Sequence, residues 1–246
     1  IFVRLIMWFL MRPDATSVWK NEKVQERYVR YWGILNKKKV ARYLIVKKVA
    51  IEEEINECSI EELWKKHEQA TKNFQELLEA IDKGKQSLEN LPTPKISFLD
   101  LKEKIAQELL KACCFCERRC KTNRKEEELG FCRVGRDAMI SSAFLHSGEE
   151  SILVPSGTIF FTGCVFACVF CQNYDISQEW FNKAMKRIIG GKTVTSRELA
   201  LLAKQLWRDG AKNINFVGGD PIPNLHTCLL YTSPSPRDRT RSRMPS

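Results

Sequence analysis

Apolar residues recur at three- and four-residue spacing through much of the first half of the chain, which is typical of amphipathic helices. The clearest helix begins at the capping box Ser59-Ile-Glu-Glu62 and keeps its apolar positions on one face as far as Ile81. Gly84 and the run Leu91-Pro-Thr-Pro94 end this helix and form a linker, after which a second amphipathic helix begins. The pattern predicts a mainly helical segment over residues 11–110.

A different pattern follows towards the C-terminus. Short β-type runs at residues 157–161 and 213–217 flank a helix that opens at the capping box Thr195-Ser-Arg-Glu198 and stops at Gly210. The apolar positions assigned to one face of this helix are Leu199, Leu202, Leu206 and Trp207. Strand, helix and strand in this order predict a parallel βαβ unit, and hence an α/β fold.

Three cysteines lie directly after the first of these runs. Cys164, Cys168 and Cys171 have the spacing C-x3-C-x2-C. A [4Fe–4S] cluster normally takes four cysteines, so three leave one iron free to bind something other than protein. Zinc bound by these three cysteines and a remote fourth ligand would give the same spacing, so a second motif is needed. It is present where the second β-type run ends in Gly218-Gly219-Asp220.

Together, these two motifs resemble the cluster loop and the second strand end of radical S-adenosylmethionine (SAM) enzymes. The flanks Gly157-Thr-Ile-Phe-Phe161 and Gln172–Gln178 are similar to the branch related to pyruvate formate-lyase activating enzyme. The resemblance implies the N-terminal part of a partial (β/α)6 barrel over residues 151–227. A mainly helical segment and a Cys-rich metal element would precede it.

The resemblance also implies roles for individual residues. The three cysteines would ligate a [4Fe–4S] cluster, Phe170 would contact the SAM adenine, and the Gly218-Gly219-Asp220 turn would hold the SAM amino end. Asp220 stands where the family more often has Glu. The implied activity is reductive cleavage of SAM to a 5′-deoxyadenosyl radical that abstracts hydrogen from a substrate. The implied partners are SAM, an electron donor such as flavodoxin or ferredoxin, and a protein substrate. In true activating enzymes that substrate carries the glycine that is oxidised, but this chain departs from them through its long N-terminal part and second cysteine group, so the glycine is not carried over.

A second cysteine group lies within residues 111–150. Its members are Cys113, Cys116, Cys120 and Cys132, and Cys114 is left over. Four thiolates at this spacing suit either tetrahedral Zn²⁺ or a fully ligated [4Fe–4S] cluster, and the same pattern is similar to an N-terminal element of the same branch. A disulfide is the alternative. Because thiols of the cluster type belong in a reducing compartment, we expect a cytoplasmic protein and disfavour the disulfide.

The run His146-Ser-Gly-Glu-Glu150 resembles a further signature of this branch. Its imidazole and paired carboxylates are suited to acid–base work or to holding a substrate near the barrel mouth. Equally, Gly148 can shape a turn whose Glu side chains are simply solvated. The sequence leaves both interpretations open.

Both ends of the chain carry sequence that we expect to be foreign to the fold. The sequence opens without a methionine and Met11-Arg-Pro-Asp14 resembles the beginning of related proteins, so residues 1–10 are interpreted as upstream sequence. The alternative is a signal peptide or anchor, because Leu5–Leu10 is apolar, but this stretch is too short to span a bilayer and no signal-peptidase site follows. Residues 228–246 resemble the translation of a sequencing-library adapter and are expected to be disordered and extended. A chain cut after its second barrel strand is expected not to turn over SAM.

The formal net charge is +10, and part of the basic excess lies in the arginines of the tail. The densest remaining runs are Lys37–Lys39 and Lys47–Lys48, which are typical of solvated helix faces and lack the accompanying aromatics of an RNA-binding motif. Nucleic acid and membrane are therefore not expected partners. Two other classes stay open: a non-catalytic metal module for electron transfer or structure, and a basic RNA-associated zinc protein.

Overall fold

The computed structural model describes residues 10–52, 54–178 and 191–232. The expectations for residues 1–9 and 233–246 lie outside these described ranges. The α-helices are α1 Asp14–Ser17, α2 Glu22–Arg27, α3 Val29–Leu35, α4 Arg42–Val46, α5 Ile60–Asp82, α6 Phe98–Leu109, α7 Tyr174–Ser177, α8 Ser196–Arg208 and α9 Leu225–Thr232. The β-strands are β1 Ala138–His146, β2 Ser156–Phe161, β3 Lys192–Val194 and β4 Asn213–Gly218. Short 3-10 turns span Val18–Lys20, Leu88–Asn90, Leu110–Ala112, Arg124–Glu126 and Ile222–Asn224.

The two long N-terminal helices begin where the sequence predicts. Ser59 caps α5 through a reciprocal pair of hydrogen bonds with Glu62, and Ser97 caps α6 in the same way with Asp100. Such boxes satisfy backbone N–H groups that a helix start leaves unpaired. The inner faces of α4, α5 and α6 pack into one apolar core around the fully buried Leu63. The predicted helical segment is therefore present and has a core of its own.

The sheet has four strands in the order β3-β1-β2-β4. Strands β2 and β4 are parallel, with Phe161 paired to Gly218, so the predicted βαβ unit is present. Helix α8 begins at the Thr195 capping box and buries Leu199 and Leu206 against the sheet. Trp207, which we assigned to the same face, is instead 61% exposed, because it follows Leu206 by one residue and so turns past the edge of the apolar stripe.

Strands β1 and β3 were not predicted. Strand β1 runs antiparallel to both β2 and β3 and lies inside the range 111–150 that we assigned to the cysteine element. Its register with β2 is irregular between Ile140 and Ser142. The alternation of buried and exposed residues breaks down in its second half, so the period-2 pattern that would predict a strand is absent there. The fold is a mixed α/β fold around a small sheet, which confirms the predicted class.

The expectation of an extended chain from residue 228 is wrong for the residues described there. Helix α9 continues to Thr232, packs against α6 and α8, and buries Cys228 and Leu229. Burying apolar side chains of this segment against α6 and α8 removes them from water and so favours a packed helix over an extended chain. The adapter interpretation of this segment stays a prediction.

None of the helices in the described ranges combines the length and the apolar character that crossing a membrane requires.

Candidate functional site

The site predicted from the sequence lies at the edge of the sheet where β2 and β4 both end. Because the carboxyl ends of parallel strands meet at one edge, the loop after Phe161 and the turn after Gly218 become neighbours. The loop carries the three cysteines that begin at Cys164, and the turn carries Gly219 and Asp220. The structure therefore brings the two sequence motifs together.

Glycine at position 219 permits this approach. Its N–H donates to the carbonyl of Phe161 at 2.9 Å, and the next N–H, that of Asp220, donates to the carbonyl of Gly163 at 3.1 Å. A Cβ on Gly219 would lie 1.8 Å from the Gly163 oxygen, well inside van der Waals contact. Gly218 has φ +96°, a left-handed conformation that favours glycine. Both glycines are thus required by backbone geometry.

The cysteine loop is closed by polar groups of the segment that follows it. The Gln178 side chain donates to the carbonyl of Cys168 at 2.9 Å, and the Gly163 N–H donates to the carbonyl of Ile176 at 2.9 Å. The Asn173 side chain donates to the carbonyl of Gly218 at 3.3 Å, joining the loop to the end of β4. These bonds explain why the run after the third cysteine is rich in amide side chains.

The three thiols differ in their surroundings. Cys164 is buried, and its sulfur accepts from the Phe166 N–H at 3.4 Å, while Cys168 and Cys171 are partly exposed. Burial raises the pKa of Cys164, and the neighbouring Asp220 and Cys171 add to that increase. The Cys171 Sγ lies 3.2 Å from the Ser177 hydroxyl, which is itself buried. Hydrogen bonds to sulfur of these kinds are typical of cluster-binding cysteines.

Asp220 is 5% exposed. Its Oδ1 accepts from the Ile222 N–H at 3.1 Å, but its Oδ2 has no hydrogen-bond partner within the described part of the chain. Burial raises the pKa of this carboxyl group. A buried carboxylate oxygen without a partner is costly, and an ammonium group would satisfy it. The residue therefore fits the amino end of SAM.

Phe170 and Val169 form the tip of the cysteine loop and point away from the protein core. Phe170 is 83% exposed and Val169 is fully exposed. An uncovered ring beside three cysteines leaves a flat apolar face free for a planar ligand. The adenine contact implied by the sequence stays a prediction, because only the exposure of the ring is observed.

The second cysteine group is also assembled by the fold. Cys113, Cys116, Cys120 and Cys132 all line one cavity, and Cys114 does not. Cys113 and Cys132 are buried, whereas Cys120 is exposed. Across residues 10–52, 54–178 and 191–232, no three His, Cys, Asp or Glu side chains stand at the mutual distances of ligands to a single metal ion. The fold therefore brings the four thiols of the second group to one cavity, but not to the distances of ligands around an ion.

His146 lies beside the start of β2, at the opposite end of that strand from the cysteine loop. It pairs with Ser156 at the start of β2, and the loop begins beyond Phe161 at the other end of that strand, roughly 16 Å away at about 3.3 Å per residue. Gly148 lies against the imidazole, and Arg12 donates to the backbone carbonyls of Ser147 and Glu149. This placement favours the turn-forming interpretation of the run His146–Glu150.

Four residues at the site had no individual role in the sequence-based interpretation. Asn173, Ser177 and Gln178 lie in the quoted flank of the third cysteine and support the loop. Arg118 lies in the second cysteine group, and its Nε donates to the carbonyl of Val165 at 3.0 Å. The amide-rich flank was a usable signal for Asn173 and Gln178, but not for Ser177. The contact of Arg118 depends on the tertiary fold.

Comparisons with known proteins agree with this placement. Residues 158–231, which include both motifs, match the family model of the Radical SAM superfamily. The chain is 42% identical over 204 residues to an uncharacterized protein, MJ0674, of Methanocaldococcus jannaschii, and the alignment covers 83% of this chain and 56% of that protein. The chain thus spans just over half the length of that relative. No solved structure matches this chain. The chain therefore carries a Radical SAM superfamily segment over residues 158–231.

Proposed function

We propose that the protein is a radical SAM enzyme of the activating-enzyme type. In this proposal Cys164, Cys168 and Cys171 ligate a [4Fe–4S] cluster, and the turn Gly218-Gly219-Asp220 holds the amino end of SAM. Phe170 contacts the adenine. The observation that carries the proposal is the unpaired, buried Oδ2 of Asp220 beside a loop with three cysteines.

The donor set fits this cofactor pair chemically. Three thiolates leave one iron open, and SAM carries an amino group and a carboxylate that can fill the position. When bound, the cluster supplies the electron that cleaves SAM to methionine and a 5′-deoxyadenosyl radical. The protein contributes binding, orientation and exclusion of water.

Different residues would bind SAM, hold the two motifs together and stabilise the thiolates. Asp220 would accept hydrogen bonds from the SAM ammonium, and its burial strengthens that interaction because little water competes. The glycines at 218 and 219 keep the β4 end close enough to the cysteine loop for one ligand to touch both. Ser177 and the Phe166 N–H stabilise thiolate charge on Cys171 and Cys164.

The finer assignments rest on the resemblance of the flanks to the activating-enzyme branch. We propose a protein substrate as the source of the abstracted hydrogen, without assigning the residue that is attacked, flavodoxin or ferredoxin as the electron donor, and the cytoplasm as the location. The partial (β/α)6 barrel is proposed on the same ground, and the parallel pair of β2 and β4 supports it.

The test is anaerobic reconstitution of the full chain, followed by iron and sulfide analysis and electron paramagnetic resonance with and without SAM. We expect about four iron and four sulfide ions at this site and a reduced signal that SAM perturbs. Cys168→Ala should abolish that signal. Cys114→Ser, which changes a nearby cysteine outside both proposed ligand sets, is the matched control.

The possible results of this experiment distinguish a radical SAM enzyme from the other two classes of protein. A cluster whose signal is indifferent to SAM would indicate an electron-transfer or structural module. Zinc alone at the three cysteines would refute the proposal outright. A salt-sensitive RNA titration by the zinc-loaded chain would favour the RNA-associated class.

A further inference from the structure

The cavity lined by the four cysteines of the second group is small and lies on a short, hydrogen-bonded loop. The Cys113 N–H donates to the Thr122 carbonyl at 2.9 Å, and the Lys121 N–H donates back to the Cys113 carbonyl at 3.0 Å. These bonds close a loop over residues 113–122 that carries Cys116 and Cys120. The cavity measures about 10 Å³, roughly the space of one water-sized sphere, which suits a single ion.

Three of the four sulfurs already accept hydrogen bonds, that of Cys132 from the backbone of Val134. The Phe131 N–H donates to the Cys120 Sγ at 3.4 Å, and the Arg124 Nη1 donates to the Cys113 Sγ at 3.7 Å. Cys132 lies close to both Cys113 and Cys116. Thiols that lie together can all become thiolates when one bound cation neutralises their charge.

Arg124 places an unusual charge beside these sulfurs. Its side chain is 1% exposed, and its guanidinium otherwise donates only to the backbone carbonyls of Gly135 and Pro223. Among the residues that the structure describes, no carboxylate forms an ion pair with it. A buried cation without a counter-charge is costly. A tetrathiolate zinc centre, whose net charge is negative, would supply the missing partner.

We infer that this cavity binds one structural Zn²⁺ and that the centre supports the loop carrying the other three cysteines. Its four ligands are Cys113, Cys116, Cys120 and Cys132. Closing the site requires Cys120, the exposed member, to turn inward, since about 2.3 Å separates zinc from each sulfur in such centres. The small cavity favours a single ion over a [4Fe–4S] cluster.

The second half of the inference rests on contacts between the two cysteine groups. Gly163, one residue before Cys164, lies so close to the Cys132 carbonyl that a Cβ would be 2.4 Å from that oxygen. The Arg118 Nε donates to the Val165 carbonyl while its guanidinium lies 3.6 Å from the centre of the Phe131 ring. A zinc ion that fixes residues 113–132 would therefore hold the side of these contacts against which Gly163 and Val165 lie.

The experiment measures zinc in the purified full chain and records the absorption spectrum after Co²⁺ substitution. We expect one zinc per chain in the unchanged protein, in Cys114→Ser and in Cys168→Ala, and less than about a tenth of that in Cys116→Ser or Cys132→Ser. The Co²⁺ form should show the charge-transfer intensity of four thiolates. Cys120→His should retain zinc and shift that spectrum, which distinguishes lost ligation from lost folding.

Zinc retained in Cys116→Ser, zinc lost equally in Cys114→Ser, or a Co²⁺ spectrum without thiolate bands would each overturn the site. Iron and sulfide bound by the Cys168→Ala chain would show that the second cysteine group holds a cluster and not zinc. Hydrogen exchange tests the supporting role: removing zinc with a chelator should speed exchange of the amides at residues 163–168 at least several-fold. An unchanged rate there would show that the two cysteine groups are structurally independent.

Discussion

Gly219 lies directly against the carbonyl oxygen of Gly163, closer than any residue with a Cβ could lie. This contact joins the end of β4 to the loop that carries Cys164, and the N–H of Asp220 completes it with a hydrogen bond to the same oxygen. The carboxylate of Asp220 is thereby buried beside the Cys164 thiol. Two distant parts of the sequence thus form one site through a backbone contact between two glycines.

Replacing Gly219 by Ala should separate these two parts. The new methyl group would meet the Gly163 oxygen at 1.8 Å, so β4 or the loop must move, at a cost of about 3 kcal/mol in the free energy of unfolding. We expect a lower denaturation midpoint and loss of SAM binding. Gly135→Ala is the control, because the nearest atom to its Cβ is the terminal carboxylate oxygen of the exposed Glu127 side chain, and it should change neither property by much. A stable Gly219→Ala protein that still binds SAM would contradict the geometry.

Asp220→Asn should increase stability while weakening SAM binding. Because burial raises the pKa of Asp220, the folded chain holds this proton more tightly than the unfolded chain, and the free energy of unfolding falls as pH rises from the ordinary pKa towards the raised one. Asn removes the buried charge and can still accept from the Ile222 N–H. We expect a higher melting temperature at neutral pH and a SAM Kd at least about tenfold weaker, the loss of one charged hydrogen bond. Asp209→Asn, at an exposed position, should alter neither value.

The sequence was sufficient for elements whose signals are local. The Ser59 and Thr195 capping boxes located the starts of α5 and α8, and the β-type runs before Cys164 and Gly218 located β2 and β4. Strand β1 was missed because the alternation of buried and exposed residues breaks down in its second half.

The site was predictable only to the level of motifs. The two motifs were assigned to one site from their resemblance, but the unpaired Oδ2 of Asp220 and the buried guanidinium of Arg124 depend on long-range packing. The same limit applies to His146. Its separation from the cysteine loop follows from the antiparallel course of β1, which no local pattern specifies.

Ser177→Ala should lower the reduction potential of the bound cluster. The Ser177 hydroxyl lies 3.2 Å from the Cys171 sulfur, and a hydrogen bond to a ligand sulfur favours the reduced, more negative cluster. Its loss should make the midpoint potential more negative by on the order of tens of millivolts, as measured by a redox titration. Ser142→Ala, on the exposed part of β1, serves as the reference. A potential that is equal in both variants would show that this hydroxyl does not act on the cluster.

The helical segment should lose stability in mild acid through His67. Burial and the nearby Lys102 ammonium lower the pKa of His67 to about 4. Below the ordinary pKa of about 6.5 the unfolded chain takes up a proton that the folded chain refuses, so the free energy of unfolding falls as pH decreases from about 6.5 to about 4. Thermal melts across this interval should show the decline.

A second histidine should act in the same way as His67. Burial also lowers the pKa of His226 to about 4. His67→Gln should therefore remove part of the pH dependence, and His67→Gln combined with His226→Gln should remove more. If neither change flattens the profile, titration of these imidazoles does not control stability in this range.

The most direct test of the central claim is electron-nuclear double resonance on the reduced, reconstituted protein with SAM labelled with ¹⁵N at its amino group. If the three cysteines leave one iron open to SAM, the labelled nitrogen should couple to the electron spin of the cluster. The coupling should disappear in Cys168→Ala and persist in Cys114→Ser. A normal cluster spectrum in the unchanged protein, with no coupling to the labelled nitrogen at saturating SAM, would contradict the account.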